Sequence, residues 1–383
     1  MQKNYKRLGD YIQELKIRNS DGTVKELLGI NIDKYFMPSV ANVVGTDLTK
    51  YKIVQKNQFA CNRMHVGRDY RIPIAMSESE TKFIVSPAYD VFEITDTNVL
   101  LPEYLMMWFS RAEFDRNAWF YTDSDVRGGL NWEAFCDLTL PIPDIDEQQA
   151  LVDEYQTIER RIQLNEQLCQ KLEETAQALY RKYFVEDIDP ENLPEGWRWS
   201  SLDKIAHYLN GLACQKFATT SISYFPAIKI RELNQGFTDS VSDKVTKDIP
   251  KEYIVKHGDV VFSWSGTLMI DFWCDNLGVL NQHLFKVTSQ KYDKWFFYLW
   301  TKSHIEDFER YISAKATSMG HIKREDLSNA NVLIPSKTDL SEMNKKMNPI
   351  FDLLIVKKRE VLKLKELLSL LLVKMGRKEE KTL

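Results

Sequence analysis

The chain repeats itself at a constant distance. Tyr104-Leu-Met-Met-Trp108 and Phe296-Phe-Tyr-Leu-Trp300 are aromatic-rich segments of one kind, 192 residues apart. Arg127-Gly128-Gly-Leu-Asn131 and Met319-Gly320-His-Ile-Lys323 keep that offset of 192, as do Leu140-Pro-Ile-Pro143 and Val332-Leu-Ile-Pro335. One offset held through several kinds of local sequence marks a duplicated unit. The fronts of the halves match with drift: Tyr5-Lys-Arg-Leu8 parallels Trp199-Ser-Ser-Leu202, and the run Ile53 to Cys61 parallels Ile254 to Phe262. Drift implies loop insertions, so each half has a divergent front on a common frame. A chain of 383 residues accommodates two such domains.

Each half ends in a long helical pattern. From Leu151 to Tyr183, seam residues recur at alternating steps of four and three, through Ile158, Ile162, Asn165, Cys169 and Ala176. The repeat carries the same seam from Met343 to Met375, through Met347, Leu354, Lys357, Val361 and Leu371. Sustained heptads of this kind predict a coiled coil. Residues 144–184 hold nine acids and five bases, whereas 336–383 hold seven acids and twelve bases, so the two helices attract each other. Each is roughly 60 Å long at 1.5 Å per residue, a rigid spacer. Asn165 and Lys357 interrupt the seam at the same place in the repeat. An antiparallel pair brings them into one central polar layer, with Glu166 or Glu360 nearby.

Short β-rich runs such as Phe83-Ile-Val-Ser and Val260-Val-Phe-Ser open each half, followed by a helix around Leu101–Phe120 or Asp293–Ile312. The stretch 186–196, dense in acids and proline, reads as a linker. The fold class is α+β.

The chemistry of a catalyst is missing from the sequence. It has no G-x-x-x-x-G-K-[ST] loop, no G-x-G-x-x-G turn, no Gly-x-Ser-x-Gly and no Asn/Asp-Pro-Pro-aromatic run. His65, His207, His257, His283, His304 and His321 are scattered without metal-ligand spacing. The five cysteines show no paired spacing and read as reduced thiols in apolar surroundings. Pro143-Asp144 lacks the partners of a nuclease motif, so Asp144 reads as a helix cap. The longest apolar run, Leu367 to Val373, is too short for a bilayer, and no signal core follows Met1; the expectation is a cytoplasmic protein without membrane contact. A net charge of −4 requires any nucleic-acid surface to be local.

The Pro-ended segment Leu140-Pro-Ile-Pro143 running into Asp146-Glu-Gln-Gln149, the connector Leu193-Pro-Glu-Gly-Trp-Arg-Trp199 before Ser201-Leu-Asp-Lys-Ile205, and the order domain, helix, domain, helix resemble the specificity subunits of type I restriction–modification enzymes. Ser263-Trp-Ser-Gly-Thr267, Asn281-Gln-His283 and Ser86-Pro-Ala-Tyr89 are similar to that family's recognition domains. The resemblance covers essentially the whole chain. It implies two pseudo-two-fold-related globular α/β target-recognition domains (1–143 and 197–335), separated by two long antiparallel coiled-coil helices (144–185 and 336–383). It also implies a non-catalytic chain that reads a bipartite, asymmetric site on double-stranded DNA. Two modification subunits would dock on it and restriction subunits would join them. The chain itself needs no cofactor, because S-adenosylmethionine, ATP and Mg²⁺ belong to those partners. The alternative is a coiled-coil adaptor that binds proteins without reading DNA.

Base reading draws on Arg, Lys, Asn and Gln, and phosphate contact on cations, hydroxyls and backbone N–H groups. The richest stretch of the first half holds Asn62, Arg63, His65, Arg68 and Arg71, with Arg127 and Asn131 flanking two glycines that permit close approach to a phosphate. The second half offers Ser263, Ser265 and Thr267, then His321, Lys323 and Arg324. Lys229 and Arg231 alternate with isoleucine as though on one strand face. Trp264 is expected in the core, and Asn281 to His283 are expected to hold a loop.

Overall fold

The computed structural model describes residues 5–40, 45–64, 66–122, 128–186, 188–314 and 321–376. It divides into two compact units, one of residues 1–160 with 366–383, the other of 161–365. Each unit contains an antiparallel four-stranded sheet of the same order. In the first unit the order is Ile12–Leu15, Asp90–Ile94, Phe59–Cys61, Ile74–Met76. In the second it is His207–Asn210, Leu284–Thr288, Val260–Ser263, Met269–Phe272. A separate two-stranded ladder pairs Tyr5–Arg7 with Thr139–Pro141, and its counterpart pairs Arg198–Ser201 with Asn331–Ile334. Even the register repeats: Tyr5 faces Pro141, and Trp199 faces Leu333.

The divergent fronts take different forms. The first unit adds two antiparallel pairs, Leu28–Ile30 with Phe36–Pro38 and Lys52–Val54 with Phe83–Val85. The second adds a mixed sheet in which Phe225–Ile228 and Gly278–Leu280 run parallel. The drift of the repeat offset is thus insertion of different small sheets beside a shared one.

Aromatic side chains fill the cores. Phe59 stacks on Phe92 at 5.1 Å, and Phe272 on Tyr298 at 4.6 Å. Trp108 and Trp300 are buried, as their repetition on a helix implied. Burial of each such ring stabilises by about 1.5–3 kcal/mol. The expected single helix of each half is broken in two: Pro102–Phe109 then Ala112–Phe120, and Lys294–Ser303 then Ile305–Ala314. At the breaks Ser110 Oγ donates to Met106 O at 2.9 Å and Ser303 Oγ to Trp300 O at 2.9 Å, hydroxyls competing with the helix ladder.

The long helices are Ile145–Arg181 and Lys337–Lys374. Asp144 Oδ1 caps the first by accepting from Glu147 N at 2.9 Å, and Ser336 Oγ accepts from Asp339 N at 3.2 Å at the second. The second helix continues through Pro349. Every seam position of both helices is buried or half-buried. All five cysteines are buried and unpaired, with burial pushing their thiol pKa values up. Among the described residues no helix is long and apolar enough to cross a membrane.

Candidate nucleic-acid interface

In each unit the loop leaving a central strand of the four-stranded sheet is fastened to the turn before a short helix. Leu130 N donates to Arg63 O at 3.0 Å in the first unit, and Ile322 N donates to Trp264 O at 3.0 Å in the second. Leu130 and Ile322 are repeat-related, so Arg63 and Trp264 occupy one frame position with unlike side chains. A shared backbone device therefore presents different chemistry in the two units.

In the first unit Asn62 is half-buried, its Oδ1 accepting from Met64 N at 3.2 Å. Arg63 is engaged by the protein. Its guanidinium pairs with Asp90 at 2.7 Å, donates to Leu130 O and lies 5.5 Å from the Trp132 ring. Arg68 and Arg71 stay more than half exposed, with Asp69 and Asp33 as partners at 2.7 and 3.0 Å. Asn131 is the N-cap of Trp132–Asp137, accepting from Ala134 N at 2.8 Å. His65 and Arg127 lie outside the described residues. The glycine beside Arg127 has a partner that sequence reading did not foresee. Gly67 N donates to Gly128 O at 2.7 Å, and a Cβ on Gly67 would stand 2.7 Å from Gly128 Cα. The close approach seen here is to protein backbone.

Sequence reading also missed Tyr70, exposed and at φ +56°, with its ring edge-on to Trp119 at 5.1 Å. Few non-glycine residues adopt this conformation, and the Arg68-Asp-Tyr-Arg71 interleaving was the available signal. Trp119 and Tyr311 are exposed aromatics 192 residues apart.

In the second unit Ser263 is fully buried, with its Oγ on Ser265 O at 3.1 Å, and so presents nothing outward. Ser265 bridges to His321, while Gly266 and Thr267 are exposed at the loop tip. Trp264 is half-buried: it stacks on Phe285 at 5.6 Å and its Nε1 donates to exposed Asn210 at 3.1 Å. His283 and His321 flank it at 6.0 and 5.9 Å between ring centroids. Asn281 holds this loop, its Oδ1 accepting from His283 N at 3.3 Å. Lys323 and Arg324 are exposed and, among the described residues, without an ion pair.

The expected strand face of Lys229 and Arg231 is overturned. The strand ends at Ile228, and Ile230–Gln235 is helical because Glu232 accepts from Lys229 N at 3.1 Å. Arg231 is clamped on Asp239 at 2.8 and 2.9 Å and reaches Glu232. Hydrogen bonding to Arg231 holds the Asp239 carboxyl well below its ordinary pKa range. Lys229 pairs with Asp243.

Residues 194–366 match the model of the type I restriction modification DNA specificity domain. The second unit is thus similar in sequence to that family of domains. Its similarity to the HindI specificity subunit of Haemophilus influenzae is 26% identity over 192 residues, 48% of this chain and 40% of that one. With the MjaIX specificity subunit of Methanocaldococcus jannaschii it shares 21% identity over 277 residues, 66% of this chain and 64% of that one. The chain spans less than two thirds of the length of these curated relatives. A solved specificity subunit from M. genitalium shares the fold: 13% identity, TM-score 0.61, covering 98% of this chain and 96% of that one.

Within the second unit, the seam holds a polar group. Glu360 lies 2.7 Å from Arg161 and 2.6 Å from Lys357. Hydrogen bonds from Lys357, and then Asn165, hold its carboxyl below the usual range. Asn165 is only 4% exposed, and its Nδ2 meets no partner at full hydrogen-bond geometry.

Proposed function

We propose that this chain is the DNA-reading specificity subunit of a type I restriction–modification enzyme, each recognition domain reading one half of a bipartite, asymmetric site. The observation that carries the proposal is the duplicated loop device, with Arg63 in one unit where Trp264 stands in the other. A common frame with unlike side chains suits two unlike half-sites. Arg68 and Arg71 in the first domain, and Thr267, His321, Lys323 and Arg324 in the second, are the groups open enough to face DNA. Arg63, Asn131, Ser263 and Arg231 position loops from behind.

The domains are taken as 1–143 and 197–335, joined through the linker 186–196 and held apart by the helices 144–185 and 336–383. The helices form an antiparallel coiled coil about a pseudo-two-fold axis. This is supported by Glu166–Lys365 at 2.7 Å and Glu173–Lys358 at 3.0 Å, in which numbers rise along one helix as they fall along the other. Two modification subunits dock on this pair and bring S-adenosylmethionine. Restriction subunits bring ATP and Mg²⁺, and the assembly works in the cytoplasm.

Exchange of residues 1–143 for those of a relative with another specificity tests the reading. Mapping of methylated adenines is expected to show one half-site changed and the other retained. A motif altered in both halves would refute independent reading.

The polar group at Asn165, Lys357 and Glu360 is assigned to register. A polar seam layer costs stability and specifies alignment. Asn165→Leu is therefore expected to raise the urea midpoint, by about 1 kcal/mol in stability, since a buried amide that meets no partner at full hydrogen-bond geometry is removed. It should also widen the range of half-site spacings methylated. Lower stability with unchanged spacing would refute the assignment.

A further inference from the structure

The two units differ sharply at one repeat-related place. In the second unit Phe184 and Tyr180 each pack on Trp300 at 5.2 Å, and Tyr180 OH donates to Ser303 Oγ at 3.0 Å. All three rings are buried. Moving 192 residues from each gives Gly376 for Phe184, Leu372 for Tyr180, Trp108 for Trp300 and Arg111 for Ser303. The first unit thus has a glycine where an aromatic plug stands, and a guanidinium where a small hydroxyl stands. It retains a cleft of about 620 Å³, lined among others by Arg7, Trp108, Arg111, Arg116, Asn117 and Thr139.

Arg111 carries the argument. It is 94% buried and lies over Trp108 at 4.1 Å. Its Nε has no hydrogen-bond partner, and its only carboxylate neighbour among the described residues is Glu113, at 3.6 Å. A buried guanidinium with an unmet donor is costly unless an anion completes it. Gly376 permits the arrangement, because a Cβ there would stand 2.1 Å from Arg111 Nη2. Arg7 in the lining is already paired with Asp137 at 2.6 Å and Asp10 at 3.4 Å, whereas Arg111 and Arg116 have one lining carboxylate between them, Glu113. Glu113 already supplies the single carboxylate that Arg111 and Arg116 share, at 3.6 and 3.1 Å. The remaining donors, with the Asn117 amide and Thr139 hydroxyl, suit a ligand with more oxygens and more charge.

We propose that this cleft is a phosphate-binding site present in the first unit alone, with Arg111 as its buried anchor and Arg116 as its exposed partner. None of its residues belongs to the loops assigned to reading bases, so the site stands independently of the proposed function. The phosphate comes from the DNA backbone or from a soluble phosphate compound.

Thermal unfolding of the full chain in inorganic phosphate, against sodium chloride of equal ionic strength, tests this. Saturating phosphate is expected to raise the midpoint by a few degrees (about 100-fold over Kd). Arg116→Gln is expected to shrink that shift. The pair Arg111→Ser with Gly376→Phe, which copies the second unit, is expected to abolish it while the chain stays folded by circular dichroism. Arg111→Met is a second abolishing variant, expected to be at least as stable as the parent in chloride. The source is then separated by DNA binding. If Arg116→Gln lowers the log–log salt slope by about one, the backbone supplies the phosphate; if the slope is unchanged while the shift is lost, a soluble compound does. A midpoint equal in phosphate and chloride, or a full shift surviving in both Arg111 variants, would overturn the site.

Discussion

Gly67→Val is expected to abolish preference for the first half-site, with more than a hundredfold loss of specific over random DNA binding. The two loops of the first unit touch backbone to backbone: Gly67 N donates to Gly128 O at 2.7 Å. A Cβ on Gly67 would stand 2.7 Å from Gly128 Cα and 3.0 Å from its carbonyl oxygen. These are main-chain atoms, which cannot swing aside as a side-chain end can. Gly128 is at φ +58°, so the strand of chain it would have to move is already in a conformation suited to glycine. The substitution must part the loops, break their hydrogen bond, and tilt Arg68 and Arg71 away together. Overpacking of this kind costs about 1–3 kcal/mol in stability. The functional loss is larger, because each misread base pair costs roughly 1–3 kcal/mol and a half-site contains several. Competition between site-bearing and random duplexes measures it. Gly29→Ala is the control, since its nearest neighbour outside the adjoining residues, Ser39 Cα, would be 3.9 Å away. A Gly67→Val chain that keeps the parent's preference would show that the loop contact does not position the reading groups.

Lys358→Met is expected to destabilise the second unit by about 2–4 kcal/mol at neutral pH. Lys358 sits between Asp271 at 2.7 Å and Glu173 at 3.0 Å, and Lys302 approaches Glu173 at 3.5 Å. These residues come from the second long helix, the four-stranded sheet, the first long helix and Lys294–Ser303, so one ammonium ties the sheet to both helices. Removing it leaves the partly buried Asp271 without its ion-pair partner and Glu173 with only the more distant Lys302. Burial pushes the Glu173 carboxyl up, but Lys358 and Lys302 outweigh burial and leave its pKa below the ordinary value. A lowered carboxylate pKa contributes stability above the ordinary value and loses it as pH falls through the folded value. The gap between parent and variant is therefore widest near neutrality and closes on acidification below about pH 4.5. For Lys358, burial lowers the pKa and its two carboxylates raise it further, so the net shift is upward. Its contribution is complete below the ordinary lysine range and is lost as pH rises through the raised value. Urea unfolding at a series of pH values checks this. A pH-independent gap would mean that packing of the lysine stem, not its charge, is what Met replaces.

The sequence by itself determined the frame. Local period and repetition encode it: seam residues such as Ile162, Val361 and Leu371 must turn inward because only one helical stripe is apolar, and Asp144 caps because no partner further away is needed. The duplication was legible for the same reason, since the offset of 192 holds through the helices and the Pro-ended strands. Only the tertiary structure decided which polar groups remain open. Arg63 and Arg68 look alike in sequence, yet Asp90 and Leu130 O consume one guanidinium while the other stays exposed. Arg231 was assigned to a strand because alternation is a local signal, but the Glu232 carboxylate on the Lys229 N–H turned the chain into a helix there. The two glycines near Arg127 announced a close approach without naming what approaches, and Gly67 lies some sixty residues earlier. A charged or glycine residue is committed by whatever folding brings against it, and such partners come from remote segments that no local pattern specifies.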